Sequence, residues 1–332
     1  MRGPHTLTRV LWTLLTLLFL VPAALAQANL PGNSLPAEFA VSDQKAGSVL
    51  FYNLYSSNPT NFDCENARIN ITNTSLTDSI AVHLFFVDGV TCSPADSFIC
   101  LTPNGTLSFL ASDMDPGVCG FIVAVAVDQN GIPIKFNYLI GDEFVRLLSG
   151  HMANLGAEAF SAMKDNPAIV YPDGRALLLF NDYHYNRAPR VLAVDSIPSR
   201  VDGHDTLLIL NRFGGDLFTG QRWIGSILGV LYNDEETAFS FTFSGKCQLK
   251  QSLTSNFPRT VPVFNSVIQN GHTGWMRLWS VKAPDSDGPG LMGAVLYKSP
   301  DGCLDARFQG HNLHKLTFVD EGYFIPIFSP HC

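Results

Sequence analysis

Short β-strand signals recur along almost the whole chain, and they limit it to a sheet protein. Val49–Leu54, Arg68–Asn73, Ile80–Val87, Thr106–Leu110, Gly120–Val127 and Ile132–Leu139 are each short, rich in Val, Ile, Phe or Thr, and bounded by turn residues. Ala176–Asn181, Arg190–Val194, Thr206–Asn211, Ile224–Tyr232, Ala238–Phe243, Gly274–Val281 and Leu291–Tyr297 continue the series. Asp128-Gln129-Asn130-Gly131 reads as a hairpin turn, because Asn-Gly accepts the positive φ that such turns need. Strands of this length and spacing predict antiparallel sandwiches.

One segment breaks the rhythm. Asp142 reads as an N-cap, and Phe144, Leu147, Leu148, Met152, Leu155, Ala159 and Met163 recur at helical spacing until Asn166-Pro167 stops them. We therefore expect a helical segment over 142–166, weakened by Gly150 and Gly156. The run Phe121-Ile122-Val123-Ala124-Val125-Ala126-Val127 is apolar on both faces. A strand of that kind leaves neither face to water. One face is expected to fill a sandwich core, and the predicted helix is the nearest apolar surface for the other.

The two halves share an order of features. Ile80–Gly89 is matched in pattern by Ser226–Asp234, and a Cys follows each, Cys100 and Cys247. Gly120-Phe121 opens a strand, Gly turn and strand in the first half, and Gly274-Trp275 does so in the second. Asn130-Gly131-Ile132-Pro133 lies where Asp287-Gly288-Pro289 lies. The expected fold class is mainly β: two tandem antiparallel immunoglobulin-like β-sandwiches, with one helical segment between them or packed on the first. The expected boundaries are a signal peptide at 1–26, a leader at 27–46, sandwiches at 47–141 and 167–332, and the helical segment at 142–166.

The signal peptide is read from Arg2, His5 and Arg9, an apolar run from Val10 to Leu25, and the small-x-small Ala24-Leu25-Ala26. Beyond it no stretch of some 18 apolar residues occurs, so we expect no transmembrane segment after processing, and a secreted, extracellular or periplasmic location. Charged residues are 15% and hydrophobic residues 46% of the chain. That composition excludes disorder, which needs high charge and low hydrophobicity. The net charge of −8 removes nucleic acid as a main partner.

Seven cysteines, Cys64, Cys92, Cys100, Cys119, Cys247, Cys303 and Cys332, would then sit where disulfides persist. Cys64 and Cys119 precede Arg68–Asn73 and Gly120–Val127, which are taken as the second and sixth strands of an immunoglobulin-like order. In an immunoglobulin-like order these strands run the same way in opposite sheets, so Cys64–Cys119 is expected at one pole. Cys92–Cys100 is expected as a hairpin staple across Ser93–Ile99, and Cys247–Cys303 as a pair within the C-terminal half. Cys332 is left free or intermolecular.

Arg68-Ile69-Asn70-Ile71-Thr72-Asn73-Thr74, Val82-His83-Leu84-Phe85-Phe86-Val87-Asp88-Gly89 and Cys100-Leu101-Thr102-Pro103-Asn104 carry a resemblance. Over about 66–142 the chain resembles a group of uncharacterised secreted β-sandwich (immunoglobulin-like) proteins of environmental bacteria. The resemblance implies a fold and no activity.

Chemical motifs are sparse. Ser161-Ala162-Met163-Lys164 matches S-x-x-K, but the companion S-D-N and K-T-G are missing. No P-loop, G-x-G-x-x-G or G-x-S-x-G occurs. His184, His204, His311 and His314 are candidate metal ligands, set against a reading as surface loop residues. His83, between Val82 and Leu84, reads as a structural histidine. Asp113-Met114-Asp115 and Asp285-Ser286-Asp287-Gly288 are acidic loops of a kind that takes calcium, though neither matches the twelve-residue hand pattern and Asx-turns explain both equally well. No other cofactor is implied.

Trp275, Arg277 and Trp279 alternate and so share one strand face. They form a candidate ligand-binding platform, with Trp223 as a possible neighbour, unless the face is covered. Asn70, Asn73 and Asn104 head N-x-S/T sequons, which matter only in a glycosylating host. With no catalytic constellation complete, we read an exported, non-enzymatic binding or structural protein. Its role would be surface adhesion, matrix or envelope association or glycan binding, and its partner an extracellular protein or polysaccharide. The alternatives are a secreted metal- or carboxylate-dependent hydrolase and an extracellular filament subunit.

Overall fold

The computed structural model describes residues 40–61, 65–281, 288–300 and 308–332. The signal-peptide reading, most of the leader, Cys64, Cys303 and Asp285–Asp287 lie outside those residues. The chain is mainly β, in sheets that are antiparallel but for one two-residue parallel pair, with two four-residue helices, α1 (Ala111–Met114) and α2 (Phe264–Val267), among the described residues.

The first sandwich uses β1 (Val49–Ser56), β2 (Asn66–Asn73), β3 (Ile80–Asp88), β4 (Pro94–Leu101), β5 (Thr106–Leu110), β6 (Cys119–Val127), β7 (Leu139–Arg146), β8 (Met152–Gly156) and β9 (Glu158–Phe160). Sheet I has the order β4-β3-β6-β1-β9, and sheet II the order β5-β2-β7-β8. In an immunoglobulin order the first strand lies beside the second, and the seventh beside the sixth. Here β1 pairs with β6 and β7 with β2, so the two outer strands exchange places.

The helix expected over 142–166 is instead β7, β8 and β9. The burial pattern gives the reason. Over 143–157 the buried residues are Glu143, Val145, Leu147, His151, Ala153, Leu155 and Ala157, all at odd positions, while Arg146, Leu148, Gly150 and Asn154 are exposed. That is the period of a strand. Three of these buried positions, His151, Ala153 and Ala157, are histidine or alanine, so the larger apolar residues around them gave a false helical spacing. The first sandwich therefore runs through Phe160.

The linker forms β10 (Ala168–Val170) and β11 (Arg175–Phe180). The second sandwich follows with β12 (Ala188–Pro198), β13 (Asp205–Phe213), β15 (Gly225–Asn233), β16 (Ala238–Gly245), β17 (Gln248–Ser252), β18 (Thr273–Ser280), β19 (Gly290–Lys298), β20 (Gly310–Asn312) and β21 (His314–Val319), while the short β14 (Gly215–Asp216) and the terminal β22 (Glu321–Pro326) lie outside it. Sheet III has the order β16-β15-β18-β12-β21 and sheet IV the order β17-β13-β19-β20. With the two-residue β14 set aside, these orders are those of sheets I and II, strand for strand. Even the bulge recurs: the register of β1 on β6 shifts between Tyr52 and Tyr55, and that of β12 on β18 between Val194 and Ile197.

Sheet V, ordered β10-β11-β22-β14, covers what the helix was expected to cover. Ile122, Ala124 and Ala126 of β6 face the first sandwich core. Phe121, Val123, Val125 and Val127 face Ala176, Leu178 and Phe180 of β11 and Tyr323 and Ile325 of β22. The second sandwich docks in a similar way. In β13, Leu208 and Leu210 enter its own core, whereas Leu207 and Ile209 join the core of the first. Between the sandwiches lie buried amides: Asn53 Nδ2 donates to Asn312 Oδ1 (2.8 Å), Asn211 Nδ2 to the Asn53 carbonyl (2.8 Å), and Gln248 Nε2 to Asn211 Oδ1 (2.9 Å).

The disulfides correct three expectations. Cys92 bonds Cys247, with Cα atoms 5.4 Å apart, and Cys100 bonds Cys332, at 5.8 Å. The segment between Cys92 and Cys100 is not a hairpin loop but the extended strand β4. Its six strand residues Pro94–Ile99 alone span roughly 20 Å, which no single disulfide bridges. Cys247 is thereby taken from Cys303, and Cys332 is neither free nor intermolecular. Among the described residues Cys119 has no disulfide partner, and the expectation of Cys64–Cys119 rests on a residue outside them.

Peptide mapping without reduction should recover Cys92–Cys247 and Cys100–Cys332. The double variant Cys92→Ser/Cys247→Ser should lose about 2–4 kcal/mol of stability. Recovery of a Cys92–Cys100 peptide would contradict this arrangement.

Candidate functional site

The outward face of sheet III is the leading candidate. On β18, Met276, Leu278 and Ser280 point into the second sandwich and are buried, so Trp275, Arg277 and Trp279 point out. Both tryptophans are half-buried and Arg277 is exposed. Tyr232 of β15 lies opposite Trp275, and the two rings stack at 4.5 Å between centroids and 11° between planes. The Arg277 guanidinium carbon lies 5.2 Å from the Trp275 ring. Leu228 and Val191 flank Trp279 on the neighbouring strands. Trp223, 62% exposed, precedes β15 at the end of the sheet where Trp279 sits, though no contact joins it to the stack.

The equivalent positions of the first sandwich show why this face is unusual. Gly120 pairs with Tyr55 after the β1 bulge, and Gly274 with Ile197 after the β12 bulge. Trp275, Arg277 and Trp279 thus stand where Phe121, Val123 and Val125 stand in β6. That apolar stripe is sealed under sheet V, whereas a guanidinium at the middle position keeps the second stripe open to water.

The same face carries a second group of residues. Ala193 of β12 lies between Arg277 and His314 in register. Two residues on, the bulge turns Asp195 outward, with Ser196 at φ +47°. Asp195 Oδ1 is 3.1 Å from His311 Nε2, and Oδ2 is 3.4 Å from His314 Nε2. The Tyr297 hydroxyl donates to the Asp195 carbonyl at 3.0 Å. A groove of about 500 Å³ runs beside them, lined also by Val41, Asp43, Lys315 and Phe318. Beneath it, Lys315 Nζ is 2.6 Å from Glu158 Oε1, whose side chain is buried. Burial pushes the Glu158 carboxyl up to about 7, against the pull of Lys315.

Of the four predicted histidine ligands, only His311 and His314 meet. His184 is buried beside Asn181, whose Oδ1 is 3.3 Å from its Nδ1. His204 follows the short turn at 200–202 and is separate from both. Asp195 was missed in the sequence. Its signal was a carboxylate at the end of an apolar strand, legible only once the bulge is known.

Other motifs resolve structurally. His83 is fully buried, bonded to Asp96 at 2.8 Å and stacked on Phe98. Ser161 is also buried and accepts from Lys45 Nζ at 3.0 Å, while Lys164 lies over the Tyr183 ring. No helix carries the S-x-x-K pair. Asp113 bonds the Leu110 amide and Asp115 the Tyr55 hydroxyl, so both carboxylates of the first acidic loop are engaged. Ser149 Oγ is 2.9 Å from His151 Nδ1, but the imidazole is sealed from solvent and its Nε2 meets the Asp205 carbonyl, bracing the two sandwiches. Of the sequons, Asn73 is buried and donates to the Asp78 and Thr102 carbonyls, whereas Asn104 is exposed.

No family model matches the chain. No curated protein matches it. A structure of cowpea mosaic virus top component, the naturally occurring empty particles, aligns over 92% of this chain and 97% of its own, with 9% identity and a TM-score of 0.17. A score that low shows no shared fold.

The raised carboxyl of Glu158 gives a pH test. Between its unfolded value near 4.5 and about 7, the native state holds the proton more tightly. Stability contributed there is complete below the lower value and is lost as pH rises through the upper one. Glu158→Gln should remove that limb, so the variant's Tm relative to the parent should climb between pH 4.5 and 7.5. Paired calorimetric scans check it, and parallel pH profiles would refute it.

Proposed function

We propose that the chain is a non-enzymatic binding protein that holds an extracellular polysaccharide on the outward face of sheet III. The observation that carries this reading is the solvent-facing stripe of Trp275, Arg277 and Trp279, with Tyr232 stacked on Trp275. Flat rings offer apolar area to the C–H faces of sugars at small entropic cost, and a guanidinium supplies a fork of donors to hydroxyl or carboxylate oxygens. The antiparallel sheet holds these groups on a rigid surface. Two disulfides support an oxidising compartment for the protein. No helix among the described residues is long and apolar enough to cross a membrane.

Binding to a panel of immobilised neutral and acidic polysaccharides tests the proposal. Trp275→Ala and Trp279→Ala should each weaken retention by about 1–3 kcal/mol, the cost of one stacking ring measured with nucleobases. The melting temperature should change little, because half-buried rings on an open face hold few core contacts. A loss of about 3–5 kcal/mol of stability would mark the rings as core instead. That result, or no retention of any polysaccharide by the parent chain, overturns the reading.

A further inference from the structure

The cluster at the β12 bulge has a property that a surface ion pair lacks. Asp195 Oδ1 is closed to solvent and accepts no hydrogen bond from the described residues, although His311 Nε2 is only 3.1 Å away. An imidazolium donating to a carboxylate aims its N–H at the oxygen. Two ligands of one ion aim instead at a third point between them.

The histidine's other nitrogen supports the same conclusion. His311 Nδ1 lies 3.0 Å from the Asn312 carbonyl, an acceptor only, so Nδ1 carries the proton. In a neutral ring, Nε2 is then a bare lone pair facing Asp195. A carbonyl on the distal nitrogen is the usual way a metal-binding histidine is oriented. The nearby Tyr297 hydroxyl, 3.4 Å from Nε2, spends its proton on the Asp195 carbonyl and steadies the bulge.

Distances agree. Bonds of about 2.0–2.1 Å to nitrogen and oxygen put neighbouring ligands of a tetrahedral zinc about 3.3 Å apart. The two contacts to Asp195 are 3.1 and 3.4 Å, and one ligand atom from each of Asp195, His311 and His314 lies within 4.8 Å of the others. The residues come from three strands, β12, β20 and β21, at the corner where the chain passes from sheet IV to sheet III, so the site is fixed by tertiary structure.

We propose that Asp195, His311 and His314 bind a divalent first-row transition-metal ion, with zinc suited to this two-nitrogen, one-oxygen set. Three protein ligands leave a coordination position for a group entering along the groove. The site stands whether or not the neighbouring tryptophans hold a polysaccharide.

The test uses untagged full chain stripped with chelator and titrated with Zn²⁺ by calorimetry. One zinc should bind per chain. Co²⁺ should give visible absorption bands that zinc displaces. Asp195→Asn, His311→Ala and His314→Ala should each weaken zinc binding at least tenfold, and His311→Ala/His314→Ala should abolish it. These side chains are 49%, 38% and 58% exposed, so the metal-free variants should keep the parent melting temperature. His184→Ala, remote from the cluster, should bind zinc as the parent does. Absence of stoichiometric uptake by the folded parent overturns the proposal. So does undiminished binding by the double variant, or loss of binding in folded His184→Ala.

Discussion

The buried contact between the two sandwiches is the constraint on which the rest of the molecule depends. β13 is apolar on both faces, and with Leu207 and Ile209 in one core and Leu208 and Leu210 in the other it cannot belong to one sandwich alone. The amides of Asn53, Asn211, Gln248 and Asn312 fix the register of this contact. Each buried amide is costly unless bonded, and a shifted docking would orphan several at about 1–3 kcal/mol apiece. The Cys92–Cys247 bond fastens the same junction. Contacts accordingly join the described residues as one unit.

Two copies of one strand order have been put to different uses. The bulge of β1 carries Asn53, buried and spent on the junction. The matching bulge of β12 carries Asp195, turned to the groove with two histidines beside it. The outward stripe of β6 is Phe, Val and Val under sheet V, and that of β18 is Trp, Arg and Trp facing water. On the proposed reading the first sandwich serves as a support and the second carries the binding groups. This division follows from where the linker and the C-terminal strand lie. Both enter sheet V, which covers sheet I and leaves sheet III open.

Several parts of this were legible in the residues. The strand signals, the double-faced Phe121–Val127 and the match of Gly120-Phe121 with Gly274-Trp275 rest on local periodicity, which reports burial directly. The alternation of Trp275, Arg277 and Trp279 placed them on one face, but whether that face is open or covered was not legible there. The helix over 142–166 failed because leucine, methionine, phenylalanine and Ala159 were weighed while His151, Ala153 and Ala157 were not. Small and polar residues were the buried ones there, so hydrophobic size misstated the period.

What the sequence by itself determined is what each residue's neighbours in the chain decide: the sheet class, the faces of the strands, and the parallel order of the two halves. The tertiary structure alone decided what depends on distant partners. Cys92 and Cys100 are close in sequence but lie at opposite ends of one extended strand, so each bonds a cysteine from far along the chain. His184 and His204 resemble His311 and His314 as isolated letters, yet only the latter pair reaches a carboxylate, because β12, β20 and β21 meet at one corner. Strand geometry is local and can be read in sequence. Convergence is set by packing, here by the burial of both faces of β6 and β13.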